Sequence, residues 1–364
     1  MTQQKVVFLI TFDYEIFLGR NFGSPEAVLF EPTRRILDLC KQLNISTTFF
    51  PDVCSVWAHR NCGLDAYADA FETQLREIAQ CGHDVGLHIH PHWLFSAYET
   101  GEWHLSTDRM YLSDLGFGTH PNSAGELVRR GIAYLNELLK PSNPQYECMA
   151  FRAAGLALQP KESELIRVLL ESGIRIDSSI AKGLKLNMDT VSIDYSRIPK
   201  CATWYMSPET GIRCENAKGI LEFPIASFQL GLPERVGFLV RRATSIGKLR
   251  GMTISRNSKQ SRLSNLHSLI QENLRYLSGN PYYMLSCDTK GMNLELLLEG
   301  FDSYVGLHDD DVVYMAMINH PKLMFDEQID LLGRFVERLT ERFEGAICFQ
   351  TFRQAMQSYP GQAA

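Results

Sequence analysis

Nine cysteines in 364 residues, with no Cys-x-x-Cys pair among them and an odd total, leave little for a complete disulfide framework or a cysteine zinc site. They point instead to reduced thiols in a cytosol. No stretch approaches the roughly twenty apolar residues needed to span a bilayer. The amino terminus has no separate basic region, apolar segment and cleavage site, because Met1-Thr2-Gln3-Gln4-Lys5 runs straight into an apolar strand pattern. A cytoplasmic protein without a transmembrane segment is therefore expected. An excess of positive charge is missing too: the net charge is −6 and the isoelectric point about 6.0, giving no global reason to expect nucleic-acid binding. There is no internal repeat and no low-complexity tract. At 45% hydrophobic and 21% charged residues the composition is that of an ordinary globular protein, long enough for one large or two ordinary domains.

Histidine, by contrast, is concentrated. Residues 82–93 place four of the ten histidines, His83, His88, His90 and His92, within ten residues. Imidazole is the commonest side-chain ligand for zinc and similar ions, and spacings of two to four suit a single ion. The run follows an amphipathic stretch, Phe71 to Gln80, stopped by Cys81-Gly82. Val85 to Ile89 reads as a short buried strand with the histidines at its carboxyl end, where α/β proteins build active sites. His88 and His90 share a face if the strand continues through them, whereas His88 and His92 meet if the chain turns helically.

A metal site of this kind also wants a carboxylate. Lys5 to Glu15, KVVFLITFDYE, is an apolar β-type run ending abruptly in Asp13 and Glu15. In extended geometry the two point to the same side. Two carboxylates at a buried strand end are costly unless a cation or hydrogen bonds compensate.

Strand and helix patterns alternate along the chain. The strands expected are Val6–Phe12, Thr47–Phe50, Asp84–His88, Cys148–Arg152, Arg175–Ser178, Leu221–Pro224, Tyr282–Ser286, Val312–Ile318 and Ala346–Phe349. The helices are Pro25–Leu43, Phe71–Gln80, Ala124–Leu139, Glu162–Ser172, Asn265–Tyr276, Leu294–Ser303 and Phe325–Glu344. This alternation predicts a parallel-sheet α/β domain, a barrel or a doubly wound sheet. Candidate residues after several different strands favour the barrel, whose strand ends share one mouth. Two stretches break the pattern. Residues 93–122 gather Trp93, Phe95, Tyr98, Trp103, Tyr111 and Phe117, either as a loop over carbohydrate or as a satellite hydrophobic cluster. Residues 232–262 carry Arg235, Arg241, Arg242, Lys248, Arg250, Arg256, Lys259 and Arg262 against one acid, Glu234. That block could attract phosphate, nucleotide or an acidic membrane surface, or could be a solvated loop.

Three more residues lie at strand ends. Arg152, in Phe151-Arg152-Ala153-Ala154-Gly155, can hold a carboxylate ionised, and the Gly155 amide could help bind an oxyanion. Asp177 follows the short strand near Ile176. His320 closes the apolar run Val312–Asn319 and precedes Pro321.

Together these residues resemble the polysaccharide deacetylases, carbohydrate esterase family four, which remove acetyl groups from N-acetylated sugars. The family's opening T-F-D-D is similar to Thr11-Phe12-Asp13-Tyr14-Glu15. Its histidine pair after a G-H-E-I-G-like lead is similar to Gly82-His83-Asp84-Val85-Gly86 followed by His88 and His92. Arg152 and His320 match the later motifs, although family members often carry Pro-Tyr where this chain has Ala154-Gly155. The resemblance spans about residues 5–320.

The resemblance implies an α/β fold, a distorted (β/α)7 TIM-like barrel, as a single domain over 1–364 with loop insertions at 93–122 and 180–280. It implies one divalent metal ion, zinc in the first instance, on Glu15, His88 and His92. Asp13 would be the base, held ionised by Arg152, and His320 the acid, oriented by Asp177. The expected substrate is an N-acetylated sugar, nucleotide- or lipid-linked, in polysaccharide biosynthesis. Alternatives are O-acetyl ester or cyclic amide cleavage on the same fold, or a non-catalytic carbohydrate-binding barrel.

Overall fold

The computed structural model describes residues 4–16, 23–187, 192–216, 218–245 and 282–360. Its first strand, β1 (Lys5–Tyr14), is buried from Val6 onward and lies at the centre of a five-stranded parallel sheet. Val312–Asn319 pairs with it over eight residues. Along the other edge, Ile347–Phe349 pairs with Val6–Phe8, and β2 (Thr48–Pro51) pairs with Thr11–Tyr14. β3 (Asp84–Val85) continues the sheet beyond β2. A second sheet of six strands begins at β4 (Leu87–Ile89). It continues in parallel through Ala150–Ala153, Ile176–Asp177 and Ile220–Glu222, then antiparallel through Trp204–Ser207 and Gly211–Asn216.

The architecture is thus mixed α/β, with two main sheets, three two-stranded ones and no closed ring among the described residues. Two isolated bridges lie between the sheets, Asp52 with His88 and Ile225 with Ala316. The step from the first sheet to the second takes one residue, Gly86. A Cβ there would lie 2.4 Å from the Phe50 ring and 3.0 Å from the Ala150 carbonyl oxygen, so only glycine admits the approach. This divides the single strand expected over Asp84–His88 into β3 and β4.

The two-residue period of β1 sorts its side chains between two cores. Val6, Phe8, Ile10, Phe12 and Tyr14 join the large core under the helices. Val7 and Leu9 face a smaller core with Phe50, Ala150, Ile176, Leu221 and Ala316, one or two residues from each neighbouring strand. Phe8 alone meets Phe301, Phe335 and Phe349 edge-on at 5.7–6.0 Å, and its truncation to alanine would cost about 3–5 kcal/mol.

The helices stop where their sequences say they should. α1 (Glu31–Leu43) has Pro32 in its first turn and ends at Asn44 in the left-handed region, φ 52°. α2 (Val53–Asn61) is capped by Asp52, whose Oδ1 accepts from Cys54 N–H. α3 (Asp65–Gln80) ends at Gly82, φ 84°, with His83 N–H reaching back to the Ile78 carbonyl. α4 (Ala124–Leu139) and α5 (Glu162–Glu171) follow the amphipathic patterns. Residues 93–122 contain a hairpin, Ala97–Glu99 with Glu102–His104, turning on Thr100 and Gly101, both at positive φ as a tight two-residue turn requires. The basic block starts as a helix, α6 (Leu232–Ser245), and its remainder, like the helix expected at Asn265–Tyr276, lies outside the described residues. No helix among the described residues is long and apolar enough to cross a membrane, and the described cysteines are all free.

Candidate metal centre and acid–base groups

The row Val7, Leu9, Thr11 on β1 continues into Asp13 and, just past the strand, Glu15, each 4% exposed. Arg152 reaches Asp13 from the neighbouring strand of the second sheet. It is fully buried, with Nη1 3.2 Å from Asp13 Oδ1, Nη2 donating to Thr11 Oγ1 (3.0 Å) and Ser178 Oγ (3.2 Å), and the guanidinium 4.8 Å above the Phe50 ring. Each charge offsets the desolvation of the other, which either alone would bear in full.

Glu15 is held from the other side. Lys322 Nζ, itself buried, donates to Oε1 at 2.5 Å. Burial alone would push this carboxyl up, but Lys322, His90 and hydrogen bonding from His88 and His90 bring it well below the usual carboxylate range. Its second oxygen, Oε2, lies 2.6 Å from His90 Nε2 and 3.4 Å from His88 Nε2.

The backbone explains why these two imidazoles converge. The chain stays extended through His90 (φ −105°, ψ 89°), and Asp52 Oδ1 pins it there by accepting from the His90 amide at 3.0 Å. Residues two apart then face one side. His88 Nδ1 donates to the Arg152 carbonyl at 2.8 Å, so its lone pair is on Nε2, toward Glu15.

Glu15, His88 and His90 each present a ligand atom within 4.8 Å of the others, all buried. Glu15 Oε2 and His88 Nε2 have no aligned hydrogen-bond partner among the described residues. Two imidazoles and a carboxylate, with His88 oriented by the Arg152 carbonyl and Glu15 by Lys322, form a donor set that fits a divalent cation. The local field favours positive charge here: against burial, Glu15, Asp13 and Asp52 push the His88 imidazolium up to about 9, so that a bound cation would take the place of the Nε2 proton.

His92, the ligand expected from the family spacing, does not join this group. The helical turn that would place it beneath His88 starts only at Pro91, as a short 3-10 turn over Pro91–Phe95. His92 packs its ring 5.6 Å from that of His90 and 5.3 Å from that of Trp93. Burial and then His90 lower it to about 3.

His320 stands across the mouth. Its Nε2 is 3.8 Å from Asp13 Oδ2 and 3.9 Å from Glu15 Oε1, too far for hydrogen bonds and open to a small group between them. The carboxylate behind it is not Asp177. Asp177 accepts from Ser179 N–H (2.8 Å) and Ser179 Oγ–H (2.9 Å), and its backbone pairs with Glu222 in the second sheet. Burial raises both carboxyls, and for Glu222 the proximity of Asp177 adds to it. The group on His320 is Asp288, whose Oδ2 accepts from Nδ1 at 2.7 Å and from the backbone amide at 2.6 Å. Burial opposes protonation of His320, yet Asp288 and then Asp13 raise its pKa above the ordinary histidine value.

Sequence reasoning missed Asp288, Asp52 and Lys322. The first two carry the signature that found Asp13, an acid just past an apolar strand: Tyr282–Met284 for Asp288 and β2 for Asp52. Lys322 gives no comparable signal. Gly155, at φ 55°, sits in the turn after Ala150–Ala153 with Tyr111 packed on it.

No family model matches the chain, and no curated protein matches it. Among solved structures it is similar to polysaccharide deacetylases and CE4 family proteins. A Mycobacterium smegmatis protein assigned to the polysaccharide deacetylases is 12% identical at a TM-score of 0.45, covering 97% of this chain and 90% of its own. A 4-alpha-glucanotransferase from Thermococcus litoralis is 12% identical at 0.48, over 98% of this chain and 41% of that enzyme. A CE4 family pseudoenzyme from Bacillus anthracis is 9% identical at 0.38, over 94% and 63%. Values this low leave the chemistry to be argued from the side chains.

Proposed function

We propose that the chain is a metal-dependent hydrolase that cleaves an acetyl or similar acyl group from the nitrogen of an amino sugar, on a distorted barrel frame. One observation carries this reading: the buried convergence of Glu15, His88 and His90 beside two independently oriented proton-transfer groups, Asp13 on Arg152 and His320 on Asp288. We infer that Glu15, His88 and His90 hold the ion, zinc being the best fit to one carboxylate and two imidazoles. When bound, such an ion polarises the acyl carbonyl and makes a water more acidic.

The chain's own residues supply the rest. Asp13, with Arg152 behind it, accepts a proton from the attacking water. The Gly155 amide is the candidate donor to the developing oxyanion. His320, kept protonated by Asp288, donates to the departing amine. Base and acid lie on opposite sides of one gap, as an addition–elimination on an amide requires. Free cysteines support a reducing compartment and, with it, an intracellular sugar precursor in polysaccharide biosynthesis as the substrate.

The test is metal quantification on the purified chain with a screen for acetate release from N-acetyl and O-acetyl sugars. Release from N-acetyl sugars only is the expected result; release from O-acetyl sugars alone would replace the amide reading by an esterase. A second reading, a non-catalytic sugar-binding protein, is favoured by one contact. Lys322 already gives Glu15 a cation, and a protein using Lys322 for that purpose would bind no stoichiometric metal.

A further inference from the structure

A cleft of about 370 Å3, open to solvent on one side, begins one residue past Glu15, at Ile16, and is walled by Trp93, next in the chain to His92. Its floor and sides are rings: His59 stacks on Tyr67 at 3.9 Å, Trp103 stands edge-on to Trp93 at 5.1 Å, and Tyr98 leans on Trp103 at 5.3 Å. Val28, Leu64 and Leu105 complete it with aliphatic surface. Neither the secondary structure nor the proton-transfer groups need this space, and the hairpin turning on Thr100 and Gly101 serves to place Trp103 over it.

The polar atoms of these rings are largely satisfied among themselves. His59 Nδ1 donates to the Ser55 carbonyl at 2.7 Å, and its Nε2 accepts from Trp103 Nε1–H at 3.2 Å. The Tyr67 hydroxyl bonds Ser55 Oγ at 2.9 Å. No charged side chain lines the cavity among the described residues. Such a surface offers a free sugar's hydroxyls few partners and desolvates them, which costs affinity. It suits an apolar occupant.

Size decides what kind. At the ~30 Å3 that a water-sized group occupies in a liquid, the cavity holds on the order of ten to twelve heavy atoms. An acetyl methyl would leave nearly all of it empty, and volumes of this order are those of ligand sites. We propose that the substrate carries an uncharged apolar chain or ring of about that size, seated against Trp93 and Trp103 while its amide lies at the Glu15–His88–His90 group. The placement of the amide rests on the deacylase reading; the occupancy of the cavity does not. The apolar group has two possible sources, a long acyl chain on the reacting carbonyl or an apolar aglycone on the sugar, and both share this chemistry.

The probe is 1-naphthylamine, an uncharged fluorophore of matching size whose emission responds to apolar surroundings, titrated into the full chain. Saturable binding at one site is expected. Ala66→Phe, which fills the rim from an exposed position on α3 without touching the core, should weaken it at least tenfold, as should Trp103→Leu. His90→Ala should leave it within twofold. Absence of saturable binding, or equal affinity in wild type and Ala66→Phe, overturns the proposal. Competition by decanamide places the apolar group on the acyl side, and competition by n-octyl glucoside places it on the sugar side. In the first case kcat/KM for N-acyl glucosamines should rise at least tenfold from acetyl to decanoyl. Probe binding lost in Ala66→Phe but no hydrolysis of any acyl sugar would uphold the cavity and defeat the deacylase reading.

Discussion

His320 gives its Nδ1–H to Asp288 across 2.7 Å and turns its Nε2 toward Asp13, 3.8 Å away. The two residues come from adjacent strand ends, and the contact fixes which nitrogen is free to act. The same contact favours the charged form of His320: burial opposes protonation, and Asp288 together with Asp13 more than offsets it.

Asp288→Asn should therefore lower kcat by roughly tenfold to hundredfold, the range of a general-acid contribution, with KM little changed. A general acid must be protonated, so activity is lost as pH rises through its pKa. Removing the carboxylate lowers that pKa, and the alkaline limb of the kcat profile should move to lower pH. A limb that stays in place would mean that another group donates the proton.

Arg152 and Asp13 make a second, stability-bearing pair. Arg152→Met leaves Asp13 buried beside an apolar side chain and should cost about 3–5 kcal/mol in denaturant unfolding. Adding Asp13→Asn should recover part of that loss, because the stranded charge goes with it. Simple additivity of the two losses would show that Arg152 stabilises through Thr11 and Ser178 alone. Asp13→Asn by itself should retain metal yet lose activity by at least about a hundredfold.

The pH dependence of stability has an identifiable source away from the site. His83 Nδ1 accepts from the Thr47 amide at 3.1 Å, a role open only to the neutral ring, and burial lowers its pKa to about 4. Protonation thus favours the unfolded chain, whose histidine titrates near 6.5. The stabilisation is complete above pH 6.5 and falls as pH drops toward 4, by about 3 kcal/mol at most. Urea unfolding of wild type and His83→Gln at pH 7 and pH 4.5 checks this. The variant should be weaker at pH 7 and lose less on acidification; parallel losses would assign the acid sensitivity elsewhere.

Much of this was legible in the sequence, and the failures have physical reasons. The two-residue period placed Asp13 and Glu15 on one face of β1, and the structure extends the Val7–Leu9–Thr11 row into them. Strand ends carrying Arg152 and His320 do meet Asp13. The choice between His90 and His92 was not legible, because it depends on where the chain stops being extended. That point is set by Asp52, a distant residue that holds the His90 amide. Asp177 was assigned to His320 on the basis of its position at a strand end, but β pairing directs it to Glu222. Periodicity marks which residues approach a mouth; it does not say which neighbours they find there.

The most direct measurement of the central claim is the divalent metal content of the purified chain and of three single variants. About one ion per chain is expected in wild type and in His92→Ala, with loss in His88→Ala and His90→Ala while circular dichroism shows the fold retained. Full metal in the doubly substituted His88→Ala, His90→Ala chain, or loss confined to His92→Ala, would contradict it.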